Sequence, residues 1–207
     1  MARRPPPGAP VLNRRTGTIP IPDRLAIFCE GETERDLLDE LRQHWRIAHA
    51  RVHIVGSCGD PRAVVREARQ HRDALSAAER AGTRIWVVFD RDAHHHFFSA
   101  IDQARALRFE VAWSNPCVEL FGLLLHQDQE AALERHEAQR LLAKVHPHYR
   151  HDKNPRFDLK TVLVNLPGAC ARADRLARQA AHKEDPHGNP STRLGELIRA
   201  LGRDHLP

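Results

Sequence analysis

The sequence predicts an α/β protein with a four-stranded parallel sheet, flanking helices and a C-terminal helical extension. Three observations carry that prediction. Short apolar runs alternate with longer amphipathic stretches between residues 24 and 126, the pattern of strand–crossover–strand units. The apolar runs are continuous rather than alternating, as strands covered on both faces require. Beyond residue 127 the strand signal fades and helical periodicity takes over.

Each element has its own signal. Arg24–Glu30 (RLAIFCE) reads as the first buried strand, and it runs into Gly31. Thr33–Ile47 reads as a helix with Thr33 as N-cap, because Leu37, Leu38, Leu41 and Trp45 recur at helical spacing. Arg51–Val55 is a second strand, closed by the turn-like Gly56-Ser57-Cys58-Gly59-Asp60. Pro61 suits a first helical position, and the helical pattern continues to Ala81, before Gly82. Arg84–Phe89 (RIWVVF) is the third and most apolar strand. Phe97–Leu107 is a helix, Phe109–Trp113 a fourth strand, and Val118–His126 an apolar helix behind Ser114-Asn115-Pro116. Asp128–Val145, Pro167–Lys183 and Ser191–His205 read as the helical extension. This divides the chain into a Pro- and Arg-rich arm (1–22), a core (23–127) and a helical extension packed on it (128–207).

Composition narrows the function classes. A chain of 207 residues with 41% hydrophobic residues can bury a core without disulfide staples. Its four cysteines form no C-x-x-C pair, which suits a reduced, cytoplasmic setting. No apolar run approaches the ~20 residues that span a bilayer, and the N-terminus has no apolar segment of secretory type. The net charge of +5 is unevenly spread: +4 in residues 1–22, −5 in 23–134, +5 in 135–185 and +1 beyond. An acidic centre between basic segments suits a metal site facing a phosphate polymer; arginines on solvated faces give the same numbers.

In a parallel sheet the ligand site lies beyond the carboxyl ends of the strands, where acids collect here. Glu30 ends the first strand, Asp90 and Asp92 the third, and Glu119 lies just past the fourth. Clustered carboxylates repel one another, and a hard cation such as Mg²⁺ or Mn²⁺ removes that cost. The competing reading is that each acid caps a strand end or the next helix, as Glu32 and Glu34 would for the first helix dipole. There is no G-x-x-x-x-G-K-[ST], no G-x-G-x-x-G and no G-x-S-x-G, which weighs against ATPase, dinucleotide-binding and acyl-hydrolase sites. His94-His95-His96 cannot all face one ion from regular structure, so the triplet reads as a loop with one His near the site. Lys153, in Tyr149-Arg150-His151-Asp152-Lys153, is a candidate to offset charge on a phosphoryl group, and Lys160 follows it; a solvated loop lysine is the alternative. Asn189-Pro190-Ser191-Thr192 suits either a phosphate cradle or a plain N-cap.

Four stretches, in this order, resemble the RloB-like proteins: Phe28-Cys29-Glu30-Gly31-Glu32-Thr33-Glu34, Val87-Val88-Phe89-Asp90-Arg91-Asp92, Ser114-Asn115-Pro116-Cys117-Val118-Glu119-Leu120 and Asn189-Pro190-Ser191-Thr192. The resemblance spans roughly residues 24–200. It implies a Toprim-like four-stranded sheet, related to OLD-type nucleases, and a setting in bacterial restriction or anti-phage defence. It also implies a catalytic glutamate at Glu30 and an Asp-x-Asp at Asp90 and Asp92. Glu34 and Glu119 match further acidic positions, and Tyr149–Lys153 matches a Tyr/Lys region loosely.

The expectation is therefore a Mg²⁺- or Mn²⁺-dependent nuclease acting on RNA, including tRNA, or on DNA. Glu30, Asp90, Asp92 and Glu119 would hold metal, Glu30 or Glu34 would act as general base, and Lys153 would steady the leaving group. Arg91, Asn115, Arg150, Lys153 and Lys160 would contact the nucleic acid, with a defence partner such as an ATPase and no membrane association. The alternatives are a non-catalytic nucleic-acid-binding or regulatory module, and a phosphatase-like acid pocket with a nucleophilic Asp.

Overall fold

The structure is a computed structural model, and it describes residues 23–49, 51–91, 95–203 and 205. The elements run β1 (Arg24–Cys29), α1 (Glu32–His44), β2 (Val52–Val55), α2 (Pro61–Ala74), α3 (Ala77–Ala81), β3 (Thr83–Asp90), α4 (Phe97–Ala106), β4 (Glu110–Asn115), α5 (Glu119–Leu124), α6 (Arg135–Val145), α7 (Leu159–His182), β5 (Ser191–Thr192) and α8 (Leu194–Leu201). The strands form one sheet in the order β2-β1-β3-β4-β5. The first four are parallel, with Leu25 facing Val52, Cys29 facing Val88 and Asp90 facing Ser114.

Strand pleating explains the continuous apolar runs. Successive side chains leave opposite faces of a strand, so β1 feeds two cores. Leu25, Ile27 and Cys29 pack with Leu37, Leu38 and Leu41 of α1 and with residues of α5, α7 and α8. Ala26 and Phe28 join Val64, Val65 and Ala68 of α2 and Phe97, Ile101 and Ala104 of α4. Each fully buried Leu, Ile or Phe contributes about 1.5–3 kcal/mol, so both faces hold the sheet.

The caps fix where helices start. Asp60 accepts from the backbone N–H groups of Arg62 (2.9 Å) and Ala63 (3.3 Å), with Pro61 next to it. The single helix predicted over 61–81 is instead two, because Ser76 and Glu79 form a reciprocal capping box that restarts the helix at Ala77. Glu32 and not Thr33 opens α1; its N-cap is Gly31. The predicted helix from Pro167 begins earlier, at Leu159, where Asp158 accepts from Thr161 N–H at 2.8 Å. Pro167 sits inside α7, where its missing N–H interrupts one intrahelical bond without ending the helix.

The sheet has a fifth strand that the sequence reading assigned to a helix. Ser191 and Thr192 pair antiparallel with Asn115 and Ser114. Thr192 Oγ1 lies 3.0 Å from Ser114 Oγ and accepts from Leu194 N–H at 3.2 Å, so the last helix starts at Leu194. The predicted arm, residues 1–22, lies outside the described residues. Among the described residues no helix is long and apolar enough to cross a membrane.

Candidate active site

The C-terminal ends of β1 and β3 are adjacent, so the acids that close them meet. Asp90 N–H donates to Glu30 Oε2 at 3.2 Å, across 60 residues of sequence. Glu30 is itself seated by its own N–H, which donates to the Val88 carbonyl at 2.9 Å. Asp92 lies outside the described residues, as does His94.

Two helices bring further carboxylates to this edge. Glu34, in the first turn of α1, is 4% exposed, and Glu119, the first residue of α5, is 3% exposed. Gly31 makes room for Glu34: a Cβ there would stand 2.7 Å from Glu34 Oε2. The four acids sense one another. Burial raises the Glu34 carboxyl from 4.5 to about 7; Glu119 and Glu30 add to the rise, while a backbone N–H and Arg135 oppose it. Burial also holds Asp90 well above the ordinary aspartate value, reinforced by Glu34, Glu119 and Glu30 and opposed by a backbone hydrogen bond from Val118. Burial and like charge each favour the protonated acid. A divalent cation would reverse that balance and suits an all-oxygen donor set. Glu30, Glu34, Asp90 and Glu119 are the described oxygen donors that this edge could offer such an ion. As placed, no group of three or more His, Cys, Asp or Glu side chains among the described residues forms a ready coordination set.

Glu119 is the best-braced of the four. The Tyr149 hydroxyl, fully buried, donates to Glu119 Oε1 at 2.6 Å, and His151 Nδ1 stands 3.3 Å from the same oxygen. Burial, then Glu119, pushes the Tyr149 phenol up, so it remains a hydrogen-bond donor. Cys117 is buried beside the acids; burial, then Glu119 and Asp90, raises its thiol. It is thus a packing residue and not a thiolate nucleophile.

The other predicted site residues divide. Arg91 Nη1 and Asn115 Nδ2 both donate to the His187 carbonyl, each at 2.7 Å. Asn115 is buried and Arg91 lies over the Phe98 ring. These two side chains clamp the 187 loop onto β4. Asn189 forms a similar tie, exchanging hydrogen bonds with the backbone of Leu133. Arg150, Lys153 and Lys160 are exposed. No hydrogen bond or ion pair among the described residues joins Lys153 to the four acids.

The sequence favours Lys153 in the 149–153 stretch, whereas Tyr149 and His151 are the side chains that reach Glu119. Their spacing of two in a turn-rich segment was the available signal. Arg135, whose charge acts on Glu34 and Tyr149, left no signal in the sequence. The model of the RloB-like protein family matches residues 25–201. No curated protein and no solved structure gives a significant match.

Proposed function

The chain belongs to the RloB-like protein family, and on that footing we propose that it is a Toprim-type, Mg²⁺- or Mn²⁺-dependent nuclease of a bacterial defence system, cleaving phosphodiester bonds of RNA, tRNA included, or DNA. One observation supports this most: four carboxylates, from the end of β1 and from α1, β3 and α5, share one sheet edge, and burial together with the charge of their neighbours favours the protonated forms of Glu34 and Asp90. Such an arrangement opposes its own ionisation unless a cation joins it.

Glu30, Asp90 and Glu119, with Asp92 two residues along, would hold the metal. When bound, the metal would activate water and offset charge on the scissile phosphate. Glu34 is the general base in this scheme. Tyr149 and His151 hold and orient Glu119. A partner such as an ATPase and a cytoplasmic setting belong to the same proposal.

The test incubates the full chain with tRNA, single-stranded RNA and duplex DNA in Mg²⁺, Mn²⁺ or EDTA. Metal-dependent cleavage that disappears in Asp90→Ala and Glu30→Ala is the expected result. Cleavage that survives both substitutions overturns the assignment. A non-catalytic nucleic-acid-binding module has one observation in its favour, the lack of a ready three-ligand set among the described residues. Salt-dependent binding without cleavage in any metal would select it.

A further inference from the structure

We propose that the cleft between α6 and the 149–154 loop seats the phosphate backbone of the nucleic acid immediately beside the carboxylate edge. The inference rests on the proposed nuclease reading for its polymer, and it adds Gln139, Arg140 and the α6 wall to the Arg150 and Lys153 contacts expected from the sequence. The cleft encloses about 440 Å³ and is lined by His136, Gln139, Arg140, Arg150, His151 and Lys153, with Asp152 and Ala143. Cations therefore dominate its wall. Arg140 is tied only loosely to Glu137, at 3.8 Å with both side chains exposed. Lys153 is exposed and has no acidic partner among the described residues.

A second observation points to a ligand. Gln139 is 7% exposed, yet its amide Nε2 has no hydrogen-bond partner among the described residues. A buried donor without an acceptor is costly and uncommon; because Gln139 also lines the cleft, a rotation of its side chain would bring that amide to a phosphate oxygen.

Position completes the argument. His151 lines the cleft and also stands 3.3 Å from Glu119 Oε1. A phosphate held there is one side chain away from the acids, placed as a neighbour of the scissile group. Arg150 contributes shape as well as charge, since its guanidinium donates to the Tyr149 carbonyl at 2.6 Å and so fixes the loop. For that reason the test uses Arg140 and Lys153, whose removal leaves the loop intact.

The experiment measures fluorescence anisotropy of fluorescein-labelled tRNA and of fluorescein-labelled oligo-dT with the full chain in EDTA, across a salt series. The variants are Arg140→Ala/Lys153→Ala, Gln139→Leu, and Arg62→Ala/Arg66→Ala as a control on α2, across the sheet. The first double variant should bind at least tenfold more weakly, its salt slope falling by roughly one for each cation removed. Gln139→Leu should weaken binding severalfold without changing the slope, because the lost contact is neutral. The control should match wild type, and the preference between the two probes identifies the polymer. Equal losses in both arginine-containing doubles, or wild-type binding by the cleft double, overturns the proposal. So does a wild-type chain that binds neither probe. Loss confined to the cleft variants, in a protein that cuts nothing in any metal, upholds the cleft while the nuclease reading falls.

Discussion

Replacing Glu34 by Gln tests the electrostatics of the site through stability. Glu34 is almost fully buried, and its carboxyl is raised from 4.5 to about 7. Below pH 4.5 it is protonated in both the native and unfolded chain and has no effect on the balance. Between 4.5 and about 7 the unfolded chain releases its proton while the native chain holds on. Metal-free stability therefore falls as pH rises through this window, and the loss is complete above about 7. At 1.36 kcal/mol per pH unit the loss is on the order of 3 kcal/mol. Glu34→Gln cannot ionise, so in EDTA it should melt about 5–10 °C above wild type at pH 8 and close to it at pH 4.5. His146 acts in the opposite sense. Burial, then His126, depresses it from 6.5 to about 4, so its contribution is present above pH 6.5 and lost as pH falls toward 4. Both proteins share that loss, and the difference between their melting curves removes it. Thermal melts from pH 4.5 to 8, with EDTA and then with Mg²⁺, make the measurement. Wild type should gain more from Mg²⁺ at pH 8 than the variant does. Parallel stability curves for the two proteins across the whole range would refute the reasoning.

Gly31→Ala would push a methyl into the space of the Glu34 carboxylate, 2.7 Å away; cleavage should fall at least tenfold while the urea midpoint moves little. Tyr149→Phe removes the buried donor to Glu119 and should cost about 1–3 kcal/mol by urea denaturation. Gly122→Ala would meet Leu142 at 2.8 Å and Phe157 at 3.0 Å in a packed core, so a loss of about 1–3 kcal/mol is expected in the same assay. Ser76→Ala breaks the capping box of α3 and should cost about 1 kcal/mol; an unchanged stability there would mean that the α2–α3 break is not held by its cap.

The sheet core and three of the four described acids, Glu30, Asp90 and Glu119, are legible from local pattern. An apolar run that ends in an acid declares both a buried strand and the residue at its edge, as at Glu30 and Asp90. The parallel order followed because 10–20-residue helices between strands permit little else. The break at Ser76 was also written locally, as a Ser and a Glu three apart, but amphipathic periodicity through Ala81 masked it.

What stayed hidden depends on distant partners. β5 is two residues long, and it is a strand only because Ser191 and Thr192 meet Asn115 and Ser114, with 78 residues separating Thr192 from Ser114. Asn115 and Arg91 are polar residues in a suggestive motif, yet the fold commits both side chains to the His187 carbonyl. Glu34 reads from its position as a helix-dipole acid and only through the family resemblance as a site residue; burial, reinforced by the charges of Glu119 and Glu30, pushes its carboxyl up to about 7. Periodicity and strand-end chemistry are properties of neighbouring residues, so the sequence by itself determined the strands, the helices and the acids that close β1 and β3. Desolvation and charge coupling depend on what surrounds a side chain in space, so only the tertiary structure decided which acids share a site and which way the Glu34 and Asp90 carboxyls shift.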